Sequence, residues 1–199
     1  MVRAIFGADC HVSGSVTVFG MPFKRRRVYR AIKHNIGLLP EDRKAQGLVM
    51  DMSVKENLSL ANVKSVMSGW IMSSTKERHL ADSYVDKLRI ATPDVERKVL
   101  YLSGGNQQKV VLAKWLNADS DILLVDEPTR GIDVGAKAEI YKILCSLASQ
   151  GKAILMVSSE LPELLGICDR ILVMRAGRLT GNFPIGDATP EKIMECAVG

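Results

Sequence analysis

The sequence predicts an α/β fold in which helices cover a parallel sheet. Three short runs, at residues 122–125, 153–157 and 170–174, are apolar apart from Arg170 and lack the alternation of a half-exposed strand. Segments with apolar residues at helical spacing precede or separate these runs, and this order is typical of a parallel sheet with both faces covered. The composition agrees, because 47% of the 199 residues are hydrophobic and 25% are charged, as in ordinary globular domains.

Local signals predict the remaining elements. Ser53 lies three residues before Glu56, which predicts a capping box at the start of a helical and polar stretch. Apolar spacing and turn residues define the others. In chain order these are a β-like run at 15–19, a strand at 36–39, helical segments over 53–99, a helix at 105–117, and a helix from about 136 that Gln150 and Gly151 stop.

Charge and cysteine spacing limit the function classes. The net charge is +5, but the most basic stretch, residues 24–27, has no interleaved aromatic residues, so we expect no nucleic-acid interface. The four cysteines lie far apart without a Cys-X-X-Cys pair, which disfavours a zinc site and indicates a reducing compartment. No apolar run approaches the roughly 20 residues that a membrane-spanning helix needs.

The segment Leu-Ser-Gly-Gly-Asn-Gln-Gln-Lys at residues 102–109 predicts an anion site. Ser103 is placed to cap the helix that follows, and Gly104 and Gly105 let backbone N–H groups approach a ligand closely. The positive end of the helix dipole favours negative charge at the same place. Serine and two glycines before a helix are more often a plain turn and cap, so the specificity lies in the full eight-residue string.

A second candidate site follows the apolar run at 122–125, where Asp126 and Glu127 emerge from a predicted strand. Ligands bind at the carboxyl ends of strands in open α/β sheets. Asp126 is placed to hold Mg²⁺ through water, and Glu127 to polarise the attacking water in phosphoryl transfer. Acidic residues at strand ends are common in any α/β protein, but the preceding 102–109 string favours the functional interpretation.

Together these strings resemble the nucleotide-binding domain of ATP-binding cassette (ABC) transporters. Residues 102–109 resemble the signature motif, residues 122–128 the Walker B motif, and residues 131–133 the D-loop. Residues 36–44 and 158–163 resemble the second cassette of the two-cassette ATPases that serve bacterial monosaccharide importers of the ribose, galactose and xylose type. The resemblance runs from Ala4 to about Gly181.

The resemblance implies a P-loop NTPase-like cassette core with a parallel sheet, a small antiparallel part and a helical subdomain. The expected segments are the helical subdomain at about 53–100, a core at 101–181 and a tail at 182–199. It implies ATP and Mg²⁺ as cofactors, with Asp126 at the metal and Glu127 as the catalytic base. The nucleotide-contacting residues would be Ser103, Gly104, Gly105, Asn106, Asp133, Glu41 and Ser159.

The resemblance also implies partners and a location. A first cassette of the same polypeptide, or a second copy, would form composite sites with this chain. Membrane permease subunits would bind the helical subdomain, and a periplasmic sugar-binding protein would act indirectly. The expected location is the cytoplasmic face of the bacterial inner membrane, as a peripheral protein.

Three positions depart from the general family pattern. Glu41 stands at the place of the Q-loop glutamine, Asn106 at the last glutamine of the signature, and Ser159 at the place of the switch histidine. Serine lacks the reach and the titratable imidazole of histidine. These residues resemble those of the second sugar-type cassette, and they weaken the expectation of hydrolysis at this chain's own site.

A further departure concerns the start of the sequence. Residues 2–7 resemble the end of the helix that follows the phosphate loop in this family. The glycine-rich loop and the first core strand would then lie before Met1, and we expect that strand beside the one at 122–125. Without the loop, the backbone cradle for the phosphates is missing, so residues 1–199 are expected to be a partial ATP-binding domain.

Two other functions remain open at this point. The chain could be an inactive truncated remnant or a binding module that lends its signature to a partner. It could also be a soluble ABC ATPase that acts on nucleic acid, a reading based only on the pI of about 9.1.

Overall fold

A computed structural model describes residues 1–10, 13–24 and 27–199. Arg25 and Arg26 of the basic stretch lie outside these residues. The described chain divides into two compact units, Met1–Val157 and Ser158–Gly199. The predicted boundaries of the helical subdomain, core and tail stay predictions.

The first unit mixes helices, a parallel sheet and two small hairpins. Its elements are α1 (Val2–Phe6), β1 (Thr17–Val18), β2 (Met21–Pro22), α2 (Val28–Lys33), β3 (Ile36–Leu39), a π-helical turn (Arg43–Gly47), α3 (Val54–Ser59), a 3₁₀ turn (Val63–Val66), β4 (Met67–Ser68), β5 (Ile71–Met72), α4 (Ser74–Leu88), a 3₁₀ turn (Val99–Tyr101), α5 (Gly104–Asn117), β6 (Ile122–Asp126), α6 (Val134–Ser149) and β7 (Ala153–Val157).

The parallel sheet has the order β3-β6-β7, which confirms an α/β fold with a parallel sheet. Leu39 lies opposite Val125, and Asp126 lies opposite Val157, so the carboxyl ends of the three strands meet at one edge. Helix α1 packs against β3 and β6, α5 against β3, and α6 against β7. This arrangement places the segments that follow β3 and β6 next to each other.

The structure corrects the expected place of a further strand. Strand β6 pairs with β3 on one side and β7 on the other, so both of its edges are already hydrogen-bonded. The expectation that a further strand lies beside β6 is therefore wrong. Such a strand could join the sheet only at β3 or β7, and β7 is less buried than predicted, since residues 154–157 are only half-buried.

The aromatic contact between α1 and α5 fixes one wall of the core. The rings of Phe6 and Trp115 meet edge to face with centroids 5.5 Å apart. A Cβ at position 37 of β3 would lie 2.9 Å from Trp115 Cγ, closer than real Cβ atoms approach a neighbour. Glycine at position 37 therefore lets α5 lie directly on the sheet.

The two ends of the stretch from Ser53 to Lys98 lie next to each other. Ser53 forms a bridge with Lys98, and the Val54 amide donates to the Arg97 carbonyl over 3.0 Å. The capping box is confirmed, because Glu56 N donates to Ser53 Oγ and Ser53 N donates to the Glu56 carboxylate over 2.7 Å. The stretch contains α3, α4 and the β4–β5 hairpin.

The second unit differs from the prediction at residues 170–174. It contains α7 (Leu161–Ile167), β8 (Arg170–Arg175), β9 (Arg178–Pro184), a 3₁₀ turn (Ile185–Asp187) and α8 (Pro190–Val198). Strand β8 pairs antiparallel with β9, and its burial alternates around Ile171 and Val173, so the predicted third parallel strand is wrong. Among the residues that the structure describes, no helix combines the length and apolarity needed to cross a bilayer.

Candidate functional site

Ser103 caps α5 as the sequence predicts. Its hydroxyl oxygen accepts hydrogen bonds from the Asn106 backbone N (3.5 Å) and from Asn106 Nδ2 (2.8 Å). The Asn106 Oδ1 atom accepts in turn from the Ala91 backbone N over 2.7 Å. The Asn106 side chain therefore orients Ser103 and also holds the loop after α4, two structural tasks that the sequence did not reveal.

Gly104 and Gly105 bring the start of α5 into close contact with the segment that follows Glu127. A Cβ at Gly104 would lie 2.9 Å from the Gly131 carbonyl oxygen, and a Cβ at Gly105 would lie 2.5 Å from the Ala136 Cβ. Both distances are too short for a real side chain. The two glycines are therefore required by packing within the chain, in addition to any approach to a ligand.

Asp126 and Glu127 lie at the carboxyl end of β6, where the sequence places them. Burial raises the pKa of Asp126, and the neighbouring Glu127 raises it further, whereas Arg3 acts in the opposite direction. Glu127 has a left-handed backbone with φ of 46°, and its N–H donates to the Val157 carbonyl over 2.9 Å. Such strain at a residue other than glycine is typical of functional positions.

The donor set at this edge fits Mg²⁺ better than a metal held by protein ligands alone. Within residues 1–10, 13–24 and 27–199, no group of three or more His, Cys, Asp or Glu side chains is suited to hold a metal. Mg²⁺ keeps several waters and needs only one or two carboxylates together with phosphate oxygens. Asp126, which the sequence analysis assigned to the metal, is one carboxylate of this kind at the sheet edge.

Glu41 follows β3 and forms an ion pair with Arg130, which lies in the loop after Glu127. A cavity of about 420 Å³ opens here and is lined by Glu41, Asp42, Arg43, Lys44 and Arg130. The segments after β3 and β6 are thus joined by side chains as well as by the sheet. The acidic group at the predicted Q-loop position carries a cationic partner from its own chain.

Asp133 and Ser159 lie in different units. Asp133 caps α6, because its Oδ1 accepts from the Ala136 backbone N over 2.9 Å. Ser159 is exposed in the second unit, next to Ser158, whose hydroxyl donates to Glu163 Oε2 over 2.7 Å. The structure brings Glu41, Gly104 and Gly105 close to the segment between β6 and α6. Asp126 and Glu127 lie at the start of this segment, and Asp133 lies at its end.

Sequence reasoning missed the role of Arg43. Arg43 donates to the side chain of Gln107 and to the carbonyls of Arg130 and Gly131. The resemblance singled out the string at 36–44 but gave Arg43 no role. A signal was nevertheless present, because the charged run at 41–44 directly follows a predicted buried strand at the edge where ligands bind.

Solved structures show the class to which this fold belongs. A nucleotide-free ATP-binding cassette from an ABC transporter matches with a TM-score of 0.80 and 19% identity, over 100% of this chain and 82% of that one. A dimeric ATP-binding cassette in a post-hydrolysis state, bound to ADP and Pi, matches with a TM-score of 0.77 and 20% identity, over 92% and 78%. At these identities the likeness concerns the fold, which is that of an ATP-binding cassette.

The sequence comparison identifies the family. Residues 1–130 match the family described as ABC transporter, and the chain belongs to that family. "Putative ribose/galactose/methyl galactoside import ATP-binding protein 3" of Burkholderia ambifaria is 52% identical over 198 residues, which are 99% of this chain and 39% of the relative. "Ribose import ATP-binding protein RbsA 1" of Streptomyces avermitilis is 48% identical, over 100% of this chain and 38% of the relative. The chain spans about two fifths of the length of these relatives.

Proposed function

We propose that this chain is part of the ATP-binding and ATP-hydrolysing subunit of a bacterial monosaccharide importer, and that it corresponds to the second cassette. The observation that carries the proposal is the 52% identity to a sugar-import ATP-binding protein over nearly the whole chain. The capped glycine helix and the Asp126–Glu127 pair at the sheet edge support it. Their donor and acceptor chemistry suits a phosphate ligand with Mg²⁺.

In this proposal, each group has one task. The start of α5, with Ser103, Gly104, Gly105 and Asn106, faces the phosphates of ATP held by a partner cassette. Backbone N–H groups at a helix N-terminus stabilise such negative charge. ATP hydrolysis supplies the free energy for import.

The remaining site residues act at this chain's own nucleotide site. Asp126 holds Mg²⁺ through water, and Glu127 orients and deprotonates the attacking water. Glu41 and Ser159 stand at the coupling and switch positions, and Asp133 orders the loop between the two sites. The Glu41–Arg130 pair and the serine at 159 weaken this site relative to the composite site that α5 completes.

The proposed partners follow from the same assignment. The first cassette of the same polypeptide, or a second copy of the complete polypeptide, supplies the phosphate-binding loop. Membrane permease subunits bind the stretch from Ser53 to about residue 100, and a periplasmic sugar-binding protein delivers the sugar to them. The assembly lies at the cytoplasmic face of the inner membrane.

The test compares two substitutions in the complete polypeptide. Ser103→Arg places a bulky cation where α5 faces phosphate and is expected to abolish sugar uptake. Glu127→Gln removes the base from the weakened site and is expected to reduce uptake less. Uptake of labelled ribose and galactose by cells that carry each variant measures the effect.

Ser149→Arg is the matched control, since Ser149 is an exposed serine at the far end of α6. It is expected to leave uptake unchanged. Equal loss of uptake in Ser103→Arg and Glu127→Gln would contradict the division of labour between the two sites. Wild-type uptake in both would contradict the function itself.

A second candidate is a cassette segment that completes the partner's site but does not hydrolyse ATP itself. The ion pair between Glu41 and Arg130 favours it, because it occupies the carboxylate at the predicted coupling position. In that case Glu127→Gln leaves both uptake and ATP hydrolysis at wild-type levels, while Ser103→Arg still abolishes them.

A further inference from the structure

Arg43 joins three segments of the candidate site. Its Nη1 donates to the Arg130 carbonyl over 2.9 Å, and its Nη2 donates to the Gly131 carbonyl over 3.3 Å. Its Nε donates to Gln107 Oε1 in α5 over 3.3 Å. One guanidinium thus links the turn after β3, the first turns of α5 and the loop after Glu127.

The turn that carries Arg43 is held at both ends. Asp42 Oδ1 accepts from the backbone N–H groups of Lys44 and Ala45, each over 3.1 Å. At the other end, the buried Lys114 Nζ donates to the Gly47 carbonyl. Burial lowers the pKa of Lys114 to about 8, so its ammonium keeps most of its charge at neutral pH. π-Helical turns of this kind are frequent at functional sites.

The guanidinium fills the space that a side chain at position 104 would need. A Cβ at Gly104 would lie 2.6 Å from Arg43 Nη2 and 2.9 Å from the Gly131 carbonyl oxygen. Both Arg43 and the loop therefore lie directly against the start of α5. A shift of Arg43 would let the helix start and the loop move relative to each other.

The geometry requires arginine at this position. The three acceptors lie around one planar group, and each is an uncharged oxygen. A lysine ammonium is a point donor on a flexible stem and does not reproduce the planar fork. Arg43 is half-buried, and this burial lowers the pKa of its guanidinium. Its N–H groups donate to acceptors within the chain.

We propose that Arg43 is a positioning residue that fixes the spacing between the start of α5 and the loop after Glu127. This inference rests on the proposed function, because that spacing matters if α5 and Glu127 act on nucleotide. Arg43 itself acts through Gln107, Arg130 and Gly131 and touches no reacting atom. Its role is to hold the start of α5 and the loop after Glu127 in a fixed relative position.

The first measurement is hydrogen exchange of backbone amides in the complete polypeptide. In Arg43→Lys we expect the amides at 104–107 and 131–133 to exchange about five- to tenfold faster than in the wild type, as for the loss of one hydrogen bond. Amides of β6 should keep their wild-type rates. Arg178→Lys is the control, since Arg178 is exposed on β9, and it should change neither segment.

The second measurement is steady-state ATP hydrolysis of the same variants in the assembled importer. A misplacement of about 1 Å is expected to lower kcat by roughly ten- to hundredfold. The KM for ATP should change by less than about threefold, because the lost interaction matters mainly in the transition state. A double variant with Gln107→Ala should lose less than the product of the two single factors, since the two residues share one contact.

The outcomes separate the two proposals. Wild-type exchange at 104–107 and 131–133 in Arg43→Lys overturns the positioning role, whether or not the protein hydrolyses ATP. Faster exchange with an unchanged kcat also overturns it. If the wild-type importer hydrolyses no ATP, the proposed function fails, while locally faster exchange in Arg43→Lys still supports the tie between the two segments.

Discussion

At positions 104 and 105, the neighbours that exclude a side chain belong to this chain itself. Arg43 and the Gly131 carbonyl crowd position 104, and Ala136 crowds position 105. A glycine pair at the start of a helix also leaves room for the close approach of a phosphate. Here the pair lets α5 meet the start of α6, so the stability of the fold depends on the two residues for which we propose a role in binding.

Gly105→Ala is expected to lower the free energy of unfolding by about 1–3 kcal/mol, because the new methyl group overlaps Ala136 in a well-packed region. Urea denaturation followed by circular dichroism measures the change. Gly135→Ala is the matched control in α6, because its Cβ would make an ordinary contact of 3.4 Å with Asp133 Oδ1.

For Gly135→Ala, the better helix propensity of alanine predicts an unchanged or slightly higher stability, by at most about 1 kcal/mol. If Gly105→Ala lowers the free energy of unfolding no more than the control does, α5 and α6 can shift to accommodate the methyl group at little cost. The internal packing would then not explain the glycine.

Among the elements, α3 depends most clearly on a short sequence signal. Ser53 and Glu56 satisfy each other's backbone N–H groups at its first turn, and Ser53 is buried. Ser53→Ala is therefore expected to cost about 1 kcal/mol of unfolding free energy at pH 7. Ser73→Ala at the start of α4 should cost less, because Ser73 is half-buried and accepts one hydrogen bond, of 3.3 Å, from Lys76 N.

The pH dependence of this cap has a definite sign. Hydrogen bonds from the backbone and hydroxyl of Ser53 hold the pKa of Glu56 below its usual value of 4.5. The stabilisation is therefore complete above about pH 4.5 and is lost as the pH falls through the lowered pKa of the folded state. Thermal denaturation of Glu56→Gln and wild type should differ at pH 7 and converge in acid. A difference that persists at low pH would contradict this account.

The elements that the sequence predicted are those with local signals. The apolar runs gave β3, β6 and β7, and the spacing of apolar residues gave α5 and α6. Strand β8 was assigned to the wrong sheet because an apolar run does not state its pairing partner. The signal lay in the next two residues, since Ala176 and Gly177 both have positive φ and form the tight turn of a hairpin.

The candidate site was predictable only in part, for a related reason. Ser103, Asp126 and Glu127 are recognisable from residues adjacent in sequence. The contacts of Arg43 join positions that are 64 to 88 residues apart in the chain. The presence of one charged residue in a sequence does not indicate which distant residues it contacts. The strands that neighbour β6 could likewise not be predicted from local sequence, because the order of strands in a sheet depends on the whole fold.

For the whole molecule, the two compact units have cores of different size. The core of Ser158–Gly199 centres on Ile171, Val173 and Ile193, whereas the first unit contains a much larger buried apolar cluster that includes Leu123. Small cores leave little margin above the entropy of chain ordering. We therefore expect the second unit to open at a lower free energy than the first.

Ile171→Ala tests this expectation, because it removes apolar volume from the smaller core at an expected cost of about 2–5 kcal/mol. Native-state hydrogen exchange should show faster exchange in β8 and β9 and unchanged rates in β6. Leu123→Ala, a fully buried site in β6, is the matched variant and should raise exchange throughout Met1–Val157. Equal acceleration of β6 by Ile171→Ala would show instead that the two units unfold together. Separate opening would make residues 158–199, which include Ser159, the part of the chain whose structure changes most readily.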